Sequence, residues 1–302
     1  MYYQHIVVPV DGSPFAEFAL PWALGIAERG EGRVELVMVR DDSAADLVAV
    51  GAGAEPDRGD EDERAYLDAL VARIGGTDRP NVSVTLLQGR AAVEIERYAR
   101  ESRAGLVVMA THGHGQFSRA WLGSVADQLV RAGPAPILLV RPAEEERPDV
   151  AARPTLGRIL VPLDGSDAAE EVLDLAVPLG ALWGAAFTLV RVVPLYVQVG
   201  SPYMAHALHL DQALMEAARA EAESYLNEVT ARLAKRDLKV AAHLADGAPA
   251  QVILSLADAE HADLIAMRAR GRGGIERMVL GSVADKVIRG SHRPVLVQTI
   301  RE

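Results

Sequence analysis

The sequence contains no cysteine. That excludes disulfides, thiolate zinc sites, iron–sulfur clusters and a cysteine nucleophile, and it fits a reducing compartment. No apolar run reaches the roughly 18 residues of a membrane-spanning helix. Residues Met1 to Asp11 lack the cationic region and long apolar stretch of a signal peptide. Basic residues are outnumbered, 31 against 42 acids, for a net charge of −11. A field of that sign disfavours nonspecific contact with nucleic acid or anionic membrane. These absences predict a soluble, cytoplasmic protein with no nucleic-acid and no membrane partner. Familiar catalytic signatures are missing as well. There is no Gly-Lys dipeptide and hence no Walker A loop, no Gly-x-Gly-x-x-Gly and no Gly-x-Ser-x-Gly elbow. What is present is ordinary for a globular chain: 302 residues, 50% apolar and 24% charged. At roughly 150 residues per domain, that length predicts two domains.

The chain contains one unit twice. Ile6-Val7-Val8-Pro9-Val10-Asp11-Gly12-Ser13 returns 153 residues later as Ile159-Leu160-Val161-Pro162-Leu163-Asp164-Gly165-Ser166. Leu122-Gly123-Ser124-Val125-Ala126-Asp127 returns unchanged as Leu280-Gly281-Ser282-Val283-Ala284-Asp285, 158 residues later. Two blocks in the same order mark an internal duplication. The change in offset places an insertion between them in the second copy, in a loop or helix where insertions are tolerated. The charged, proline-bearing stretch between the copies reads as a linker. The expected division is domain 1 at 1–142, linker at 143–155 and domain 2 at 156–302.

Short apolar runs in copy one predict strands at Ile6–Val10, Val34–Val39, Leu106–Met109 and Ile137–Val140, with Asn81–Leu87 a weaker candidate. Helical stretches lie between them at Pro14–Arg29, Asp60–Ile74, Ala91–Arg103 and Ser124–Arg131. Copy two repeats the pattern with Ile159–Leu163, Phe187–Val193, Val240–Leu244, Leu264–Met267 and Val295–Val297. Near-continuous apolar strands alternating with helices predict two tandem α/β domains with doubly wound, Rossmann-like parallel sheets. Ligands in such sheets sit beyond the strands' carboxyl ends, at the switch point.

Three segments of each copy fall at that edge. Asp11-Gly12-Ser13 follows the first strand, and Asp11 is a fixed acceptor for a base amino group or a sugar hydroxyl. The competing reading is that Asp11 or Ser13 caps a helix whose first turn holds Pro14. Ala110-Thr111-His112-Gly113-His114-Gly115 follows the fourth strand, and glycine there lets backbone amides approach an anion. Gly123-Ser124 opens a helix whose free amides and dipole suit phosphate. Ser124 with Asp127 also fits a capping box. Together the three segments suit a nucleotide, with the base near Asp11 and phosphates at Gly113 and Gly123-Ser124.

At these motifs the sequence resembles the universal stress protein family in its tandem form. ATP-binding members carry Gly-x2-Gly-x9-Gly-[Ser/Thr] after strand four. Copy one reads Ala110-x2-Gly113-x9-Gly123-Ser124 and copy two Arg268-x2-Gly271-x9-Gly281-Ser282. The first glycine is replaced in both, by a small residue in one and a large one in the other. The resemblance implies adenine and ribose contacts at Pro9, Val10, Asp11, Ser13 and Val39, and at Pro162, Leu163, Asp164, Ser166 and Val192. It implies ribose or phosphate contacts at Met109, Ala110, His112, Gly113, His114, Gly123, Ser124 and Val125. In copy two the counterparts are Met267, Arg268, Arg270, Gly271, Arg272, Gly281, Ser282 and Val283. Arg268, Arg270, Arg272 and Arg277 read either as a solvated face or as an anion clamp.

The resemblance implies a protein that binds ATP, or AMP or ADP, in a stress-response or regulatory role, with magnesium carried in by the nucleotide. No catalytic residue and no dedicated metal site is predicted. His112-x-His114 has no partner placed by the sequence, and the acidic stretch Asp57–Glu63 lacks EF-hand spacing. The alternatives are a slow ATPase or phosphotransferase based on a loop histidine, and a non-nucleotide interaction module. The resemblance further implies an intramolecular pseudo-dimer in which the last strands of the two copies meet, with a homodimer of chains as a further possibility. Unequal sites are expected, with the Arg268 guanidinium filling the phosphate position of copy two.

Overall fold

The computed structural model describes residues 3–40, 58–75, 81–111, 122–142, 148–194, 204–269 and 280–299. The chain divides into two compact units. One holds Met1–Thr155 with Glu276–Leu280 and His292–Glu302; the other holds Leu156–Ile275 and Gly281–Ser291.

In the first unit, strands β1 (His5–Val10), β2 (Arg33–Arg40), β3 (Val82–Gln88), β4 (Leu106–Ala110) and β5 (Ile137–Val140) lie in the order β3-β2-β1-β4-β5, all parallel. Between them run α1 (Leu20–Gly30), α2 (Arg58–Ile74), α3 (Ala91–Glu101) and α4 (Ser124–Ala132). Every residue of β1, β4 and β5 is buried, the burial expected of a parallel sheet covered on both faces. The helix expected from Pro14 opens instead as a 3-10 turn, Ala16–Ala19, and α1 starts at Leu20. Pro21 stands in the first turn of α1, where a missing N–H costs no intrahelical bond.

The second unit repeats the plan. Strands β6 (Arg158–Pro162), β7 (Ala186–Val193), β8 (Val240–Asp246) and β9 (Leu264–Arg268) are parallel in the order β9-β6-β7-β8. The helices are α5 (Asp167–Glu170), α6 (Leu173–Ala181), α7 (Met204–Ala234), α8 (Pro249–Ala259) and α9 (Ser282–Gly290). Phe187 of β7 is fully buried, and Gly180 of α6 makes room for it: a Cβ on Gly180 would stand 2.6 Å from Phe187 Cζ. The corresponding residues of the first unit are Ala27 and Val34, both buried. The larger strand residue thus goes with the smaller helix residue, which conserves core volume.

The last strand, β10 (Val295–Gln298), belongs to the first unit. It pairs antiparallel with β5, with Val295 opposite Leu139, Leu296 opposite Leu138 and Val297 opposite Ile137. An apolar edge at β5 is thereby covered. The segment read as linker is fastened at Arg153, whose Nε and Nη2 donate to the Glu28 carboxylate at 2.6 and 2.7 Å. Among the described residues no helix is long and apolar enough to cross a membrane.

Candidate functional site

The switch point of the first sheet lies between β1 and β4, because the chain turns toward β2 from one side of β1 and toward β5 from the other. The strands part there. The β1–β2 ladder runs on to Val10 opposite Met38, whereas the β1–β4 ladder stops at Val7 opposite Val107. Pro9 has no N–H to continue a ladder. Pro162 repeats the arrangement, and the β6–β9 ladder stops at Leu160 opposite Ile265. One proline per copy therefore stands where the strands separate.

A cavity of about 250 Å³ opens at this place in the first unit. Its lining joins Pro9, Val10 and Asp11 from the end of β1, Val39 from β2, Met109 and Ala110 from β4, and Gly123, Ser124 and Val125 from the start of α4. Nine of the residues named from the sequence therefore share one cavity. Thr111, from the segment singled out after the fourth strand, lies in the wall as well; the sequence did not point to Ala16, Ala91, Ile95 and Ala126, which complete it. Ala91 and Ile95 are one helical turn apart, so α3 presents one face there. His112, Gly113 and His114 lie outside the described residues, as do Arg270, Gly271, Arg272 and Arg277.

Asp11 and Ser13 build a turn. Asp11 Oδ1 accepts from the Ser13 backbone N–H at 3.0 Å and from the Ser13 hydroxyl at 2.6 Å. Ser13 Oγ in turn accepts from Ala16 N at 3.3 Å, and Ser13 is 1% exposed. Gly12 between them has φ +79°, a conformation that favours glycine. The second unit reproduces this turn: Asp164 Oδ1 accepts from Ser166 N at 3.0 Å and Ser166 Oγ at 2.5 Å, with Gly165 at φ +80°. Of the two residues read as possible caps, it is Ser13 whose side chain accepts from the following turn, at Ala16 N. The serine holds the turn, and the aspartate is fixed at the strand end.

The far wall is the start of α4. The expected capping box does not form. Gly123 is the N-cap and no side chain caps the helix. Ser124 falls one residue inside the helix, and Asp127 pairs with Arg131, accepting at 2.7 and 3.1 Å. The Gly123 N–H donates to Thr111 O at 2.7 Å, which ties the helix start to the end of β4. In the second unit Gly281 N donates to Ala269 O at 2.8 Å, α9 again lacks a side-chain cap, and Asp285 pairs with Arg289 at 2.8 Å.

Behind the Asp11 turn sits a network the sequence reading missed. Glu17, 4% exposed, accepts from Tyr66 OH at 3.2 Å and from Arg73 Nη1 and Nη2 at 3.0 and 2.9 Å. Burial, Glu17 and Asp11 together push the Tyr66 hydroxyl pKa well up, so it stays a donor. In the second unit Arg232 Nη2 donates to Glu170, while the Tyr225 hydroxyl is buried with no hydrogen-bond partner among the described residues and is pushed up by burial, Glu170 and Asp164. The signal was in the sequence: Tyr66 and Arg73 recur as Tyr225 and Arg232, both 159 residues on.

The two units differ at the strand ends. Arg268 closes β9 where Ala110 closes β4, and its side chain is 12% exposed. Arg191 stands over the Gly165 turn, where a Cβ would meet its Nη2 at 3.3 Å; over Gly12 the corresponding neighbour is Met38. Pro162 ends β6 with Leu163 and Asp164 just beyond it, and Leu163 N donates to Val190 O at 2.9 Å. Val192 and Met267 lie buried in β7 and β9, while Ser282 and Val283 open α9.

The first cavity offers aliphatic walls, one fixed carboxylate and an uncapped helix start. Asp11 is the one titratable side chain among its described lining residues. Such a site suits a ligand with an apolar body, a hydrogen-bonding edge and an anionic end.

Comparison with known proteins agrees with this geometry. The model of the universal stress protein family matches residues 2–141 and again 155–298. A universal stress protein of Methanocaldococcus jannaschii, MJ0531, is 33% identical over 140 residues, 46% of this chain and 80% of its own length. The Mycobacterium tuberculosis universal stress protein Rv2623 is 27% identical over 305 residues, 97% of this chain and 95% of its own. A crystal structure of a universal stress protein from Archaeoglobus fulgidus superimposes with a TM-score of 0.68 at 20% identity, covering 99% of both chains. With its duplicated α/β unit and a family match over nearly its whole length, the chain belongs to the universal stress protein family, in tandem form.

Proposed function

We propose that the first unit binds ATP or a related adenine nucleotide, in a stress-response or regulatory role, without efficient turnover. The observation that carries this is the cavity of about 250 Å³ at the switch point, which joins Asp11 to the start of α4. Val39, Ile95, Met109 and Ala110 supply apolar surface for a base and sugar. Asp11 accepts from an N–H or hydroxyl of the ligand. The amides at Gly123–Val125 face the phosphates with the positive end of the helix dipole. Magnesium, arriving on the phosphates, neutralises their charge and needs few protein ligands. The same lining argues against rapid chemistry. Its one carboxylate already accepts two hydrogens from Ser13, which suits holding a ligand better than taking a proton.

The test is to denature the purified protein and identify released small molecules by mass spectrometry, then to titrate ATP into nucleotide-free chain. An adenine nucleotide in the extract, or saturable ATP binding with turnover at background level, is the expected result. An empty extract together with no binding would overturn the reading.

A further inference from the structure

We infer that the second unit carries a phosphoryl-binding residue that the first lacks, Arg268, with Glu171 holding its place in the absence of ligand. The inference rests on the reading above that ligands sit at this edge of the sheet. Both units share the Asp-Gly-Ser turn and the uncapped helix start. What changes is the charge between them. Ala110 is replaced by Arg268 and Met38 by Arg191, so two guanidinium groups stand where the first unit has apolar side chains.

The state of Arg268 points to a ligand. Its Nε and Nη1 are buried and make no hydrogen bond among the described residues. Among the described residues its charge partner is Glu171, with Oε1 3.4 Å from Nη1, beyond a good hydrogen bond. The Glu171 side chain is 52% exposed, so water competes for it. Buried donors are nearly always satisfied, and an unsatisfied pair asks for a missing acceptor. A phosphoryl group carries more charge than a carboxylate and offers several oxygens, so it can approach either edge of the guanidinium, Nε with Nη2 or Nη1 with Nη2. The α9 start lies on the same edge, tied through Gly281 to Ala269, the neighbour of Arg268. This reverses the expectation that the arginine simply fills the phosphate position: its weak hold on Glu171 leaves it ready to change partner.

The test uses inorganic pyrophosphate, an anion with no base, titrated calorimetrically into the full chain. Wild type should bind it. Arg268→Ala should bind it about tenfold more weakly or worse, the loss of a charge-assisted hydrogen bond. Glu171→Gln, at an exposed position that tolerates change, should bind it more tightly because the competing carboxylate is gone. No binding to wild type, or equal or tighter binding to Arg268→Ala, would overturn the inference. Equal or weaker binding to Glu171→Gln would do the same, and it decides the matter if Arg268→Ala does not fold. Both substitutions lie in the second unit, so pyrophosphate in the first cavity cancels from the comparison. Failure of the first-unit reading looks different: ATP binding would be absent while the Arg268 and Glu171 responses remained.

Discussion

The two copies keep the same turn at the end of their first strands and change what stands over it. In one, Met38 and Ala110 leave the strand ends apolar beside a cavity of about 250 Å³. In the other, Arg191 and Arg268 bring charge to the same places. At the opposite ends of the strands they diverge again. Glu35 of the first unit is gripped by Thr85 at 2.6 Å, Tyr98 at 2.5 Å and His5 at 2.8 Å. The corresponding residue of the second unit is Thr188, to which Arg158 donates at 3.1 Å while also pairing with Glu260 at 3.0 Å. Backbone devices have been retained through duplication, and the side chains that set charge have been exchanged. The difference between the copies lies in a few strand-end side chains rather than in the fold.

The Glu–Arg pairs retained in both copies allow the sharpest energetic test of that division. Glu17→Ala removes an acceptor that is 4% exposed and holds both Arg73 nitrogens. It should destabilise the first unit by about 2 kcal/mol, less than a fully buried pair would lose, because Arg73 is free to rehydrate. Glu170→Ala should cost about half as much, since the Glu170 side chain is 18% exposed against 5% for Glu17. Urea denaturation of both variants measures the contrast, and equal losses would show that the difference in burial carries no energetic weight.

A smaller effect is expected at Glu35, and it is pH-dependent. Burial pushes this carboxyl up, but hydrogen bonds from Thr85, Tyr98 and His5 outweigh it and hold the pKa below its ordinary 4.5. A lowered carboxyl pKa stabilises the fold above the unfolded value and loses that contribution as pH falls through the folded one. Wild type should therefore lose stability more steeply than Glu35→Gln below about pH 4.5. Parallel acid limbs for the two proteins would contradict the assignment.

Strand positions, the duplication and the strand-end edge were legible because each rests on local pattern. Apolar runs of strand length became β1, β2, β4 and β5 almost residue for residue. Asp11, Ala110 and Gly123 could be named because short motifs mark the ends of elements, and Val39 only through the family resemblance. What stayed hidden depends on distance in the chain. Ser124 and Asp127 have capping-box spacing, yet Arg131 one turn on takes the aspartate and Gly123 serves as the cap. The 3-10 turn at Ala16–Ala19 follows from the competing demands of the Ser13 turn and Pro21, which periodicity does not weigh. Ala91 and Ile95 reach the cavity from a helix 80 residues after Asp11, and nothing local marks them. Glu17, Tyr66 and Arg73 required following the repeat through its insertion.

The most direct test of the account is Gly123→Val in the full chain, followed by calorimetric titration of ATP. Gly123 has φ −56°, which valine adopts without strain, so the fold should survive. The branched side chain would fill the space that the proposed function gives to phosphate. The account predicts a folded protein, by circular dichroism and melting, that has lost ATP binding to its first unit. A folded variant with unchanged ATP affinity would contradict it.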